Sequence, residues 1–252
     1  MAKKSHLVGL VSPQVLEAVE ADSLHAVAMD LEACDILEIR YDFFERKEWT
    51  NLSGRIRRIA PQTPQIGTIR LKRDGGVFPN REANHRFDLW NEILKAAEVP
   101  EWLDLEQDCL YDFQNLKNLA DIRSTKILIS QHNFLRIPTA QELEDFAQDC
   151  LRVGAAGLKI AAMSNSETDS DRLYAFSKKF AKNFELFAAF GMGETGKASR
   201  LWSLKEGANL TYGSIENSAA PGQIDVLKMR RALENFEEIH SPFELSAFLA
   251  KF

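Results

Sequence analysis

Eight short apolar runs recur along the chain, each followed by sequence of helical period, at intervals of about 25 to 30 residues. They are His6–Val11, Cys34–Asp42, Gln65–Leu71, Trp102–Glu106, Lys126–Ser130, Ala156–Met163, Leu186–Phe190 and Asn209–Gly213. Helices are expected at Asp22–Glu32, Trp49–Ile59, Arg81–Ala97, Phe113–Asp121, Thr139–Val153, Thr168–Ala181 and Ala198–Lys205, with Ile224–Phe236 and Pro242–Lys251 closing the chain. Thr139 stands at the cap of its helix with Glu142 three residues on, the spacing of a capping box. A strand that alternates with a helix eight times closes most simply into a (β/α)8 TIM barrel. A doubly wound open sheet is the competing arrangement of the same elements. No Pro/Gly/Ser-rich linker or low-complexity tract divides the chain, so residues 1–252 are expected to form one barrel domain.

The remaining bulk properties bound the function. Hydrophobic residues make up 45% and charged residues 27% of the 252, an ordinary soluble profile. A net charge of −6 gives no basic footprint for nucleic acid or an anionic membrane. The apolar stretch after the basic N-terminus, Leu7–Val11, is too short for a signal peptide or a membrane span. Cys34, Cys109 and Cys150 are odd in number and widely spaced, as expected of reduced thiols in a cytoplasmic protein. No Cys or His pair has metal-ligand spacing, so no metal is expected.

In a barrel the active site is built where the strands end. Those ends carry charge nearly all the way round: Glu38, Arg40 and Asp42; Arg70 with Lys72, Arg73 and Asp74 just beyond; Asp104 and Glu106; His132; Lys159; then Arg200 and Gln223. Glu38, Arg40 and Asp42 are two apart and project to one side of their strand, as does Lys159 opposite Leu158, Ile160 and Ala162. An ammonium removed from water costs several kcal/mol unless it is paired or gives up its proton. Lys159 is therefore either ion-paired, with Asp104 or Glu106 as candidate partners, or held partly neutral among arginines. A neutral lysine amine attacks carbonyls to form imines. His132, on the neighbouring strand, could then remove the proton that the imine acidifies and return it to a leaving hydroxyl. Arg40 and Arg200 suit a carboxylate or vicinal hydroxyls, because the guanidinium fork donates in a plane. The chemistry these types assemble is proton abstraction next to an imine, followed by loss of water or carbon–carbon cleavage. His6, His25, His85 and His240 fit no pattern and read as surface or helix-face residues.

Gly191-Met192-Gly193-Glu194-Thr195-Gly196-Lys197 imitates a nucleotide loop. A P-loop needs Ser or Thr after its lysine, and Ala198 stands there. The glycines are instead expected to bring backbone close to a ligand and to start a helix facing an anion.

Six segments, in order, resemble the type I 3-dehydroquinate dehydratase family of the shikimate pathway. They are Glu38-Ile39-Arg40-Tyr41-Asp42; Thr68-Ile69-Arg70 with Gly75-Gly76; Ser130-Gln131-His132-Asn133-Phe134; Leu158-Lys159-Ile160-Ala161; Met192-Gly193 to Ser199-Arg200; and Ala220-Pro221-Gly222-Gln223. The resemblance implies a (β/α)8 barrel that uses no cofactor and is often a homodimer. It implies that Lys159 forms the imine with the C3 ketone of 3-dehydroquinate and that His132 moves the C2 proton to the C1 hydroxyl. Arg200 would hold the substrate carboxylate, Glu38, Arg40 and Arg70 the ring hydroxyls and the charge network, and Gln223 a lid. The family usually places a Glu against the histidine where this chain has Asp74, one methylene shorter. The lid serine is replaced by Ala219, with Ser218 beside it as a substitute, and Asn133 stands where Asp is common. Two other readings of the same residues are an imine-forming lyase or aldolase on a related hydroxy-keto acid, and a weakly catalytic barrel that binds the metabolite.

Overall fold

The computed structural model describes residues 4–215 and 223–250. Eight parallel strands line up as β1 (His6–Val11), β2 (Ile36–Arg40), β3 (Gln65–Thr68), β4 (Trp102–Glu106), β5 (Lys126–Asn133), β6 (Gly157–Met163), β7 (Leu186–Met192) and β8 (Leu210–Ser214). A ninth, β9 (Ile224–Asp225), adds to the C-terminal end of β8. From β1 to β7 each strand pairs with the next in sequence, and β1 also pairs with β8, so the sheet curls round on itself with its seam between β7 and β8.

The seam between β7 and β8 is bridged by one residue. The Asn209 backbone N–H donates to the Phe187 carbonyl at 3.0 Å, its side-chain Oδ1 accepts from Phe187 N–H at 2.7 Å, and its Nδ2 donates to the Glu185 carbonyl at 2.7 Å. The amide thus stands in for ladder bonds that the strands do not make themselves. A buried apolar cluster inside the ring draws on every strand: Val8, Ile36, Ile66, Trp102, Leu128, Ala161, Leu186 and Leu210 belong to it. Only strands surrounding a common axis share such a cluster. The architecture is the (β/α)8 barrel.

Helices cover the outside: α1 (Pro13–Ala21), α2 (Ala26–Glu32), α3 (Trp49–Ile59), α4 (Arg86–Leu94), α5 (Phe113–Ile122), α6 (Ala140–Val153), α7 (Ser170–Phe180), α8 (Ser199–Lys205), α9 (Val226–Glu234) and α10 (Pro242–Leu249). In α6 the capping box forms as the sequence predicts: Thr139 N–H donates to Glu142 at 2.7 Å, and Glu142 N–H donates to the Thr139 hydroxyl at 3.3 Å. Its buried residues, Leu143, Phe146, Ala147 and Cys150, recur at helical spacing and join Leu158, Ile160 and Ala162 of β6 in the outer core.

Two segments differ from expectation. The first helix is not Asp22–Glu32 but two helices, because Ser12 caps Val15 N–H and Pro13 sits in the first turn, starting α1 early. The stretch from Ile224 begins as β9 before Asp225 caps α9 by accepting from Leu227 and Lys228 N–H.

Candidate active site

Inward residues recur at every second position, and on β2, β4 and β5 the first is apolar while the later ones are polar, whereas β7 stays apolar with Leu186, Ala188, Phe190 and Met192. β2 presents Ile36, then Glu38 and Arg40; β4 presents Trp102, then Asp104 and Glu106; β5 presents Leu128, then Ser130 and His132. The polar layer opens on a cavity of about 630 Å³ including its mouth, within the usual range for small-molecule sites. Lys159, His132, Asp74, Glu38, Arg40, Arg70, Arg200 and Gln223 all line it, with Leu10, Phe134, Phe190, Met192 and Tyr212. Ser218 and Ala219 lie outside the described residues.

Lys159 is 4% exposed. Its Nζ is 3.0 Å from Asp104 Oδ2, 3.6 Å from Glu38 Oε1 and 3.9 Å from the centre of the Tyr212 ring. Its direct partners are thus carboxylates and an aromatic face, which is the ion-paired arrangement, with Asp104 as partner, of the two that the sequence left open. Both carboxylates favour the ammonium form, so the amine must shed a proton before it can attack a carbonyl.

Arg70 ties the network together. Its Nη2 donates to Asp104 Oδ2 at 2.8 Å and its Nη1 to Ser130 Oγ at 2.9 Å; Nη1 also abuts Glu106 Oε1 and lies 3.3 Å from His132 Nδ1. Burial alone would raise the Asp104 carboxyl, but the Arg70 and Lys159 cations overcome it and hold the group well below the usual carboxylate range. Thr68 donates to Glu38 Oε1 at 2.7 Å, fixing that carboxylate beside the amine.

His132 lies inside β5 rather than just past it, in register with Ala161 of β6. Burial, then the Arg70 and Lys159 charges, push its imidazole well below the ordinary value, against the opposing pull of Asp104. A neutral ring at neutral pH is able to accept a proton. Its Nδ1 is 2.7 Å from Glu106 Oε1. Asp74, the position singled out as the histidine's partner, instead has its ion pair with Arg73 at 3.6 Å. Burial raises the Asp74 carboxyl against the pull of Arg70 and Arg73.

The loop carrying Asp74 turns sharply through Gly75 (φ 84°), and a Cβ at Gly76 would sit 2.0 Å from the Arg70 carbonyl oxygen. The glycine pair is a backbone requirement for placing Asp74 on the cavity wall. Arg40 spends two donors on Asp42, at 2.9 and 2.8 Å, with Phe43 under its guanidinium at 4.2 Å. Asp42 in turn accepts from Val77 N–H at 3.0 Å, joining the loops after β2 and β3. Arg200 is 2% exposed and stacks 4.6 Å from the Phe190 ring centre; burial pulls its guanidinium down to about 10. The glycine-rich loop that presents Arg200 folds on itself: a Cβ at Gly196 would meet the Gly191 carbonyl carbon at 2.5 Å, and Ser199 Oγ accepts from Gly191 N–H. The close approach that its glycines serve within the protein is backbone to backbone.

Tyr212 is among the lining residues that the sequence reading missed, with Leu10 and Phe190, although Leu210 and Tyr212 alternate on β8 as Trp102 and Asp104 do on β4. Among the described residues, no group of three or more His, Cys, Asp or Glu side chains could hold a metal ion. No described helix is long and apolar enough to cross a membrane.

Fold and site together define a barrel of parallel strands whose polar mouth holds a buried lysine and a neutral histidine on adjacent strands. The family model for type I 3-dehydroquinase matches residues 13–240, and the chain belongs to that family. The 3-dehydroquinate dehydratase of Methanococcus maripaludis is 30% identical over 225 residues, covering 88% of this chain and 98% of that protein. The enzyme of the same name from Enterococcus faecalis is 28% identical over 241 residues, covering 91% and 92%. The crystal structure of 3-dehydroquinate dehydratase from Geobacillus kaustophilus superposes with a TM-score of 0.81 at 23% identity, over 95% of this chain and 93% of that one, a likeness of fold.

Proposed function

We propose that this chain is a hydro-lyase that converts 3-dehydroquinate to 3-dehydroshikimate through an imine on Lys159. The observation that carries the reading is the Lys159 amine, buried on the cavity wall with Asp104 and Glu38 at 3.0 and 3.6 Å and a neutral imidazole on the adjoining strand. The ammonium gives up a proton to solvent at the open cavity and the free amine adds to the C3 ketone; water leaves, and the imine withdraws electrons from C2. His132 takes the C2 proton, the C1–O bond breaks, and the protonated imidazole returns the proton to the departing hydroxyl as water. Hydrolysis of the imine then releases the enone and restores the amine. Arg200 faces the substrate carboxylate, while Glu38, Arg40, Arg70 and Gln223 hold hydroxyls and charge, Asp74 lines the same cavity, and Ser218 is assigned to substrate binding as the substitute for the lid serine. The same reading makes the chain one catalytic domain, a homodimer and a cytoplasmic protein.

The product is a conjugated enone that absorbs in the ultraviolet where the substrate does not. Wild type mixed with 3-dehydroquinate is expected to generate that absorbance, and Lys159→Ala to lose it by several orders of magnitude, since Lys159 is the only lysine among the described lining residues. Equal rates for the two proteins would remove the amine from the reaction.

A further inference from the structure

Resting on that reading, we propose that Glu106 is the positioning residue for His132, holding its proton on Nδ1 and balancing its charge once the imidazole takes up the C2 proton.

Glu106 is the last residue of β4 and points into the bore, 4% exposed. Its Oε1 lies 2.7 Å from His132 Nδ1 and against Arg70 Nη1, and it makes no aligned hydrogen bond to any described group. A carboxylate taken out of water costs several kcal/mol and needs a reason to stay. Pairing with Arg70 is not a sufficient one, because Asp104 already pairs with that guanidinium at 2.8 Å. In the innermost network two cations, Arg70 and Lys159, face three carboxylates, Glu38, Asp104 and Glu106. With His132 neutral the group carries one excess negative charge, and with His132 protonated it is balanced. The surplus carboxylate touching the ring is Glu106.

A carboxylate against Nδ1 favours the proton on that nitrogen and leaves Nε2 as the basic edge. The charged groups around His132 come from four walls: Arg40 at the end of β2, Arg70 beyond β3, Asp104 and Glu106 on β4, and Lys159 on β6, while Asp74 shares the cavity and is paired with Arg73. Arg70, Lys159 and Arg40 disfavour the imidazolium that the reaction must form, and Asp104 favours it. Glu106, the nearest carboxylate, lowers the cost of making it. This assigns to β4 the task that the family resemblance gives to position 74, where Asp74 is shorter by a methylene and paired with Arg73.

The test sets Glu106→Gln beside Asp74→Asn in steady-state kinetics from pH 5 to 9, with borohydride trapping on 3-dehydroquinate in parallel. Glu106→Gln is expected to lower kcat about 10- to 100-fold with KM little changed. Losing the carboxylate makes the imidazole less basic, so the acid limb of its kcat profile moves to lower pH. The Lys159 adduct still forms, because imine formation does not need the histidine's partner. Asp74→Asn is expected to leave the limb in place. A wild-type kcat and limb in Glu106→Gln, or a limb that moves only in Asp74→Asn, overturns the proposal. Ring-nitrogen NMR of His132 in the wild type reads the tautomer without any substitution: a proton on Nδ1 is expected, and one on Nε2 contradicts it. If wild type traps no adduct at all, the imine reading fails and the proposal with it.

Discussion

The bore of this barrel has two halves cut from the same strands. Toward the strand beginnings, Val8, Ile36, Ile66, Trp102, Leu128 and Leu210 fill it with apolar side chains. Two residues beyond Ile36, Ile66, Trp102, Leu128 and Leu210 stand Glu38, Thr68, Asp104, Ser130 and Tyr212, with Lys159 two beyond Gly157, and all of them are buried just as deeply. Burial therefore does not separate the two halves; what the buried atoms ask of their neighbours does. The apolar half gains stability from every methylene removed from water, roughly 25 cal/mol per Å². The polar half must find a partner for each charge, and the Arg70–Asp104–Lys159 chain does so at 2.8 and 3.0 Å. The first half holds the ring together. The second lends that rigidity to reactive groups.

The contrast predicts which substitutions hurt activity and which hurt folding. His132→Ala should cut kcat by about 10²- to 10⁴-fold, the usual worth of a positioned base, with the thermal midpoint little changed. Steady-state kinetics beside calorimetry checks it, and a large loss of stability with kcat intact would place His132 in the wrong half. Asp104→Asn leaves Arg70 and Lys159 short of a buried counter-charge and should cost about 3–5 kcal/mol in urea unfolding, besides its effect on turnover. Leu128→Ala should cost about 2–5 kcal/mol of stability while kcat per folded molecule stays at the wild-type value. A fall in kcat of the size seen for His132→Ala would erase the distinction between the halves.

The smallest expected effect is on pH dependence of stability, and its sign follows from His132. The folded imidazole titrates below its unfolded value of 6.5, so under that pH the unfolded chain binds more protons. The stabilisation is complete above pH 6.5 and is lost as the pH falls toward the folded value. Asp104, also depressed, adds a second loss that begins only below its unfolded value of 3.8. Urea midpoints at pH 7, 6 and 5 should fall steadily in wild type and more shallowly in His132→Ala. Parallel slopes would mean the histidine is not buried neutral.

Much of this was legible in the sequence because alternation and the strand–helix period are local properties. Lys159 against Leu158 and Ile160, the Thr139–Glu142 cap and the eight strands follow from spacing alone. What escaped depended on which strands become neighbours. Glu106 and Asp104 read as interchangeable salt-bridge partners, and only the fold sends one to His132 and the other to Lys159. Tyr212 was hidden because a tyrosine in an apolar strand looks like core until Lys159 is placed 3.9 Å from its ring. Asn209 looked like an ordinary strand residue, yet it bridges the seam between β7 and β8. The early start of α1 was a local signal overlooked, with Ser12 and Pro13 both in favour of it.

The central claim is that the buried amine, and no other group, captures the ketone. Borohydride added to wild type and 3-dehydroquinate, followed by peptide mass mapping, measures this directly. The account predicts one reduced adduct on the peptide containing Lys159, and none in Lys159→Ala. An adduct on another lysine, or full turnover with no adduct at all, would contradict it.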